Sequence, residues 1–220
     1  MKKLSLIALA ISLASASFAQ SDKYVSAMKG NIAQIDSASM GKGTELANNF
    51  ERIGDAEKTQ WLPYYYAALT QINSGYMLMR NKDVMAGGLG STIDPIADKA
   101  ETLLNKAETL SKDNSEIYVV KKMIASLRMM ADPMSRYMTY GPQAAQALET
   151  AKKLNPNNPR IYYLEGKDKL YTPEQYGGSK TEAKKLLEEA LKKYDAFKPE
   201  ISLHPLWGRS ATVYFLSQAQ

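Results

Sequence analysis

An all-α protein, built as a stack of antiparallel helix pairs (an α-solenoid) with a C-terminal capping helix, is the architecture predicted for this 220-residue chain. Three observations predict it. Apolar residues recur at three- and four-residue spacing along almost the whole chain, while alternating strand patterns bounded by hairpin signals are absent. Helix-start signals punctuate that pattern, as in Asp94-Pro95, Asn158-Pro159 and the capping-box spacing of Ser179 to Glu182. One packing triplet also recurs at a constant distance from a tyrosine that opens the next helix.

The chain opens with Lys2 and Lys3, a short apolar stretch from Leu4 to Leu13, and the small-x-small sequence Ser17-Phe18-Ala19. That order predicts a secretory signal over 1–19, cleaved before Gln20, because the apolar stretch falls short of the roughly 20 residues a membrane span needs. No later segment reads as a span. The protein is therefore expected to be exported, in a periplasm or outside the cell. Cleavage removes two lysines and no acid, lowering the formal charge from +5 to +3, a small excess that argues against a nucleic-acid partner.

The mature chain reads as one helical-repeat domain over 20–220, with helix pairs near 22–53, 59–111, 115–154 and 159–195 and a cap near 203–219. The first pair starts with a Tyr24/Met28/Ile32/Ile35 stripe. Ala100-Leu104-Ala107, Ala144-Leu148-Ala151 and Ala183-Leu187-Ala190 share one spacing, and Leu46-Phe50-Ile53 repeats it with bulkier residues. Positions i, i+4 and i+7 lie on one helical face, and small residues at both ends let a neighbouring helix approach closely. Fourteen residues after the large central position stands a tyrosine: Phe50 to Tyr64, Leu104 to Tyr118, Leu148 to Tyr162. The distance from that tyrosine to the next triplet varies (36, 26 and 21 residues). One junction of each pair is thus constant, and the other accepts insertions, at Met79–Ile93, Pro133–Gly141 and Tyr171–Gly178.

The segment from Ala144 through Leu148, Ala151, Pro156 and Asn158 to Tyr162 and Gly166 resembles the tetratricopeptide repeat, with its alanine, its turn proline, and an aromatic then a small residue opening the next helix. Ala107 to Tyr118 is similar but has Lys112 in place of the proline, and Lys122 stands where the family has glycine. The intervals of 44 and 39 residues between successive triplets exceed the family's roughly 34. The resemblance implies a binding groove on the first helices of each pair, which puts Tyr65 with Leu69, Val119 with Met123, and Tyr163 with Lys167 on the concave surface.

With no Cys and a single His, the chain excludes a disulfide framework, a thiolate nucleophile and an ordinary Cys/His zinc site. Gly41 to Thr44 lacks the spacing of a phosphate loop, Gly87 to Gly90 lacks that of a dinucleotide fingerprint, and both read as loops before helices. His204 reads as a surface or helix-start residue. No catalytic or metal-binding residue and no cofactor is expected, and the protein reads as a non-enzyme.

The tyrosines and methionines concentrated in the insertions supply contact groups, Tyr140 and Tyr176 among them. Tyr64-Tyr65-Tyr66 cannot all enter one core face, because successive helical residues point about 100° apart; one or two should be exposed or pack against an insertion. The preferred reading is a non-catalytic scaffold for an unidentified protein or peptide in the exported compartment, with Tyr65, Met123, Tyr163, Lys167, Tyr140 and Tyr176 as candidate contacts. The alternative is a carboxylate-dependent hydrolase or a small-molecule-binding protein on the same helical scaffold.

Overall fold

A computed structural model describes residues 22–36 and 40–220, so the segment expected to be an export signal lies outside the described residues. Among the described residues there is no strand. The helices are α1 (22–32), α2 (Met40–Glu57), α3 (Leu62–Met79), α4 (Gly90–Leu110), α5 (Ser115–Met130), α6 (Pro133–Leu154), α7 (Pro159–Tyr171), α8 (Lys180–Ala196) and α9 (Arg209–Gln218). From α2 onward each packs against its neighbour in sequence, and α3 also packs directly on α5. The fold is all-α, a stack of helix pairs in which α1, α3, α5 and α7 are first helices and α2, α4, α6 and α8 second helices. None of the described helices is long and apolar enough to cross a membrane.

Three junctions from a second helix to the next first helix are alike. Residues 58–61, 111–114 and 155–158 each span four positions, although positive φ falls at the first position of one (Lys58), at the third of the next (Asp113) and nowhere in the last. Asn114 and Asn158 hold the same place, their side chains accepting from the backbone N–H of Glu116 (2.9 Å) and Arg160 (3.1 Å) as N-caps. The tyrosine that follows each junction lies close to a lysine: Lys106 over Tyr64, Lys121 over Tyr118, Lys152 and Lys193 over Tyr162, all within about 5 Å of the ring centroid. The Ala-Leu-Ala triplets of α4, α6 and α8 are buried. Gly166 allows α7 its approach to α8, for a Cβ there would meet the Leu187 Cγ at 2.8 Å.

Several expected boundaries differ. Pro133–Gly141 is no loop: Asp132 accepts from the Ser135 N–H, Pro133 occupies the first turn where its missing N–H costs nothing, and α6 runs on through Pro142. Gly41 to Thr44 lies inside α2 rather than in a loop before it, and a Cβ at Gly43 would overlap the Ser74 hydroxyl of α3, so close packing of α2 on α3 accounts for the glycine. Helix α4 begins at Gly90, a turn before Asp94-Pro95.

The largest departure follows α8. In place of a short junction, residues 197–208 form an irregular strap leading to α9, which begins at Arg209. The strap's backbone is fastened by side chains: the Tyr66 hydroxyl donates to the Leu203 carbonyl (2.9 Å), an Arg160 Nη donates to the Pro205 carbonyl, and the Tyr194 hydroxyl donates to the Trp207 carbonyl (3.1 Å). It covers Tyr65 and Tyr66, whereas Tyr64 lies against α2 and α4, its hydroxyl donating to Asp55 (2.8 Å) and its ring beneath Lys106, so all three tyrosines are buried and none is exposed.

Candidate functional site

The strap, α9 and the first helices enclose a cleft of about 850 Å³, within the size range that takes a drug-sized organic ligand. Its α3 wall is Tyr66, Leu69, Asn73 and Tyr76, one helical face at spacings of three and four. Met123, Ser126, Met129 and Met130 of α5 form the floor; Tyr163, Leu164, Lys167 and Tyr171 of α7 follow, and Leu206, Trp207 and Phe215 close the far side. Ile32 and Ile35 continue the apolar wall at α1. The rings of Tyr163 and Tyr171 each pack against Phe215, with centroids 6.1 and 5.7 Å apart. Rigid aromatic walls beside adaptable thioethers suit a flat apolar ligand. A second cavity of about 710 Å³ lies over the junctions, walled by Lys112, Asp113, Asn155, Lys198 and Glu200 among others, and lacks such walls.

Four charged groups, Asp36, Lys122, Lys167 and Asp168, line the cleft, together with His204 of the strap. Lys122, almost fully buried, pairs with Asp168 at 2.8 Å. Burial drives the Lys167 ammonium below the ordinary lysine range, and nearby Lys122 adds to that while Asp168 opposes it. Burial raises the Tyr163 hydroxyl to about 12, with Asp168 and Tyr171 adding to it, and raises Tyr76 as well. These phenols therefore stay protonated at neutral pH.

Behind the cleft wall lies a buried ionic network. The Glu116 carboxylate accepts from Arg160 Nη1 (2.9 Å), Asn158 Nδ2 (2.9 Å) and the Tyr65 hydroxyl (3.2 Å), and Tyr65 in turn accepts from Trp207 Nε1 (2.8 Å). Arg160 is fully buried among the rings of Tyr194, Phe197 and Trp207. Burial raises the Glu116 carboxyl above its ordinary range against the opposing pull of Arg160. The network joins α3, α5, α7 and the strap, so it fixes Trp207 in the cleft wall.

Met123, Tyr163 and Lys167 come together in the cleft. Tyr65 does not face it but lies fully buried behind it; Leu69 lines the cleft as expected, with Tyr66 beside it in the place expected of Tyr65. Tyr140 on α6 and Tyr176 in the α7–α8 loop lie away from it, Tyr176 being 70 % exposed. His204 is in the strap, not at a helix start; it is half-buried between Trp61 and Phe197, and its Nδ1 is buried without a hydrogen-bond partner. Sequence reasoning missed Tyr76, Met129, Met130, Trp207 and Phe215. Lys122 carried a usable signal, since a long cation at a position expected to be glycine has to reach out of the helix packing.

No protein-family model matches the chain, and no curated protein does. Among solved structures, the HusA haemophore from Porphyromonas gingivalis aligns with a TM-score of 0.77 and 32% identity, over 90% of this chain and 92% of that one. The chain belongs to the same family as HusA. Likeness to HusA corrects two expectations. The stacked helix pairs are present, but membership of the tetratricopeptide family is unsupported. The protein- or peptide-binding scaffold is overturned, because the relative is a haemophore. The cleft gives the physical reason: the strap and α9 close what an open repeat would leave as a channel for extended chain, and the space left is pocket-shaped.

Proposed function

We propose that this protein is an exported haem-binding protein that holds a tetrapyrrole in the cleft between its first helices and the strap, and releases it unchanged. The kinship with HusA carries this reading; the size of the cleft and its aromatic and methionine walls support it. Haem is cargo here, and its macrocycle is the part these walls suit. Among the described residues two carboxylates line the cleft, Asp36 and Asp168, and Asp168 is bound to Lys122; the reading is of binding without turnover.

Titrating the Gln20–Gln220 protein with iron(III) protoporphyrin IX tests it. One equivalent should bind saturably, shifting the Soret band and quenching the emission of Trp207, which lines the cleft. Linear, unsaturated absorbance changes to tens of micromolar with no quenching would overturn the reading.

A further inference from the structure

Within the cleft the two lysines are in different states. Lys122 has its charge compensated by Asp168 at 2.8 Å. Lys167, one turn from α7's end, has no carboxylate within ion-pair distance among the described residues; its Nζ lies 5.3 Å from the Tyr76 ring centroid and 5.7 Å from that of Phe215. Ring faces hold a cation less strongly than a charge-assisted bond to a carboxylate does in a partly buried site. The same two rings line the space where a flat aromatic body would stack.

A ligand that takes those ring faces displaces the ammonium. If its rim carries a carboxylate, the ammonium exchanges weak partners for a strong one. If its rim is neutral, a half-buried cation is left without compensation. We propose that Lys167 is the specificity-determining residue of the cleft, recognising the carboxylate rim of a flat aromatic acid and selecting it over neutral ligands of the same shape. This rests on the reading of the cleft as a tetrapyrrole site. Lys122 cannot substitute, being tied to Asp168, and Asp36 at the α1 side of the cleft opposes any acid bound there.

The test compares iron(III) protoporphyrin IX with its dimethyl ester, by quenching of tryptophan emission, on the wild-type protein, Lys167→Met and Lys167→Arg. Methionine keeps the apolar stem over the rings and removes the charge; arginine keeps the charge. Wild type should bind the diacid at least tenfold more tightly than the diester. Lys167→Met should lose that tenfold for the diacid alone, and Lys167→Arg should restore most of it. Equal affinity of wild type for the two porphyrins, or a Lys167→Met variant that weakens both alike, would overturn the assignment while leaving the tetrapyrrole reading standing. Failure of wild type to bind either porphyrin would overturn both. Matched thermal midpoints for the three proteins establish that the changes act on binding and not on folding.

Discussion

The outer layer of second helices and the inner face of first helices both carry paired charges, and the pairs are of opposite kinds. Outside, Glu51 reaches Lys99 and Lys106 of α4 at 2.6 and 3.1 Å, and Arg136 of α6 grips Asp94 at 2.6 Å, all at the half-exposed surface. Hydrogen bonding to Arg136 holds the Asp94 carboxyl below its ordinary value, and for Glu51 the two lysines outweigh burial to the same effect. Inside, Glu116 sits beside a fully buried Arg160, and burial moves its carboxyl up. Solvent screens the first set and leaves them worth little, whereas the second cannot lose a member without stranding a charge. The outer pairs decorate a stack that apolar packing already holds; the inner pair fastens a wall of the cleft.

Breaking the inner network should have the largest effect. Arg160→Met strands Glu116 and frees the Pro205 carbonyl, and should cost about 3–5 kcal/mol in urea unfolding. Acid should relieve part of that loss. A carboxyl whose folded-state pKa is raised binds its proton more tightly in the folded protein, so its contribution is full below the unfolded value of 4.5 and is lost as pH rises through the folded one. Equal destabilisation at pH 4 and pH 8 would show that the charge of Glu116 is not the cause.

Second in size is Gly208→Ala. This residue has φ 106°, and a Cβ on it would overlap the Tyr194 hydroxyl that holds the Trp207 carbonyl. About 1–3 kcal/mol should be lost, and tryptophan emission should shift to the red as Trp207 is released; stability like wild type would remove the strap from its proposed place in the wall. Smallest is Asp94→Asn, which should cost less than about 1 kcal/mol at neutral pH because the pair is screened. Its sign with pH is opposite to that of Glu116. A depressed carboxyl contributes above its unfolded value of 3.8 and loses that contribution as pH falls through the folded one, so variant and wild type should converge in acid.

Local rules made the stack legible. Periodicity, the Asn158 cap, the Ser179 capping box and the constant spacing to Tyr64, Tyr118 and Tyr162 are written within a few residues of the features they produce. Met123, Tyr163 and Lys167 could be found because they follow from position within one helix pair. The rest depends on chain distant in sequence. Nothing near Tyr65 says that Trp207 will donate to it, and nothing near Tyr66 says that Leu203 will accept from it. Without the strap, the run of three tyrosines reads as partly exposed, the concave face as an open channel, and the partner as a peptide.

The strap has a consequence for how the molecule comes apart. A linear array of helix pairs is held by neighbours alone, and its terminal unit can fray while the middle stays folded. Here the last segment of the chain is bonded to the second pair, 137 residues away along the sequence, so the array is closed on itself. Loosening α9 unfastens Trp207, which exposes Tyr65 and the Glu116–Arg160 pair beneath it, and loss of that pair separates α5 from α7. Unfolding is thereby coupled from α3 to α9, and the proposed ligand, touching both α3 and the strap, would stabilise that whole span and not one repeat.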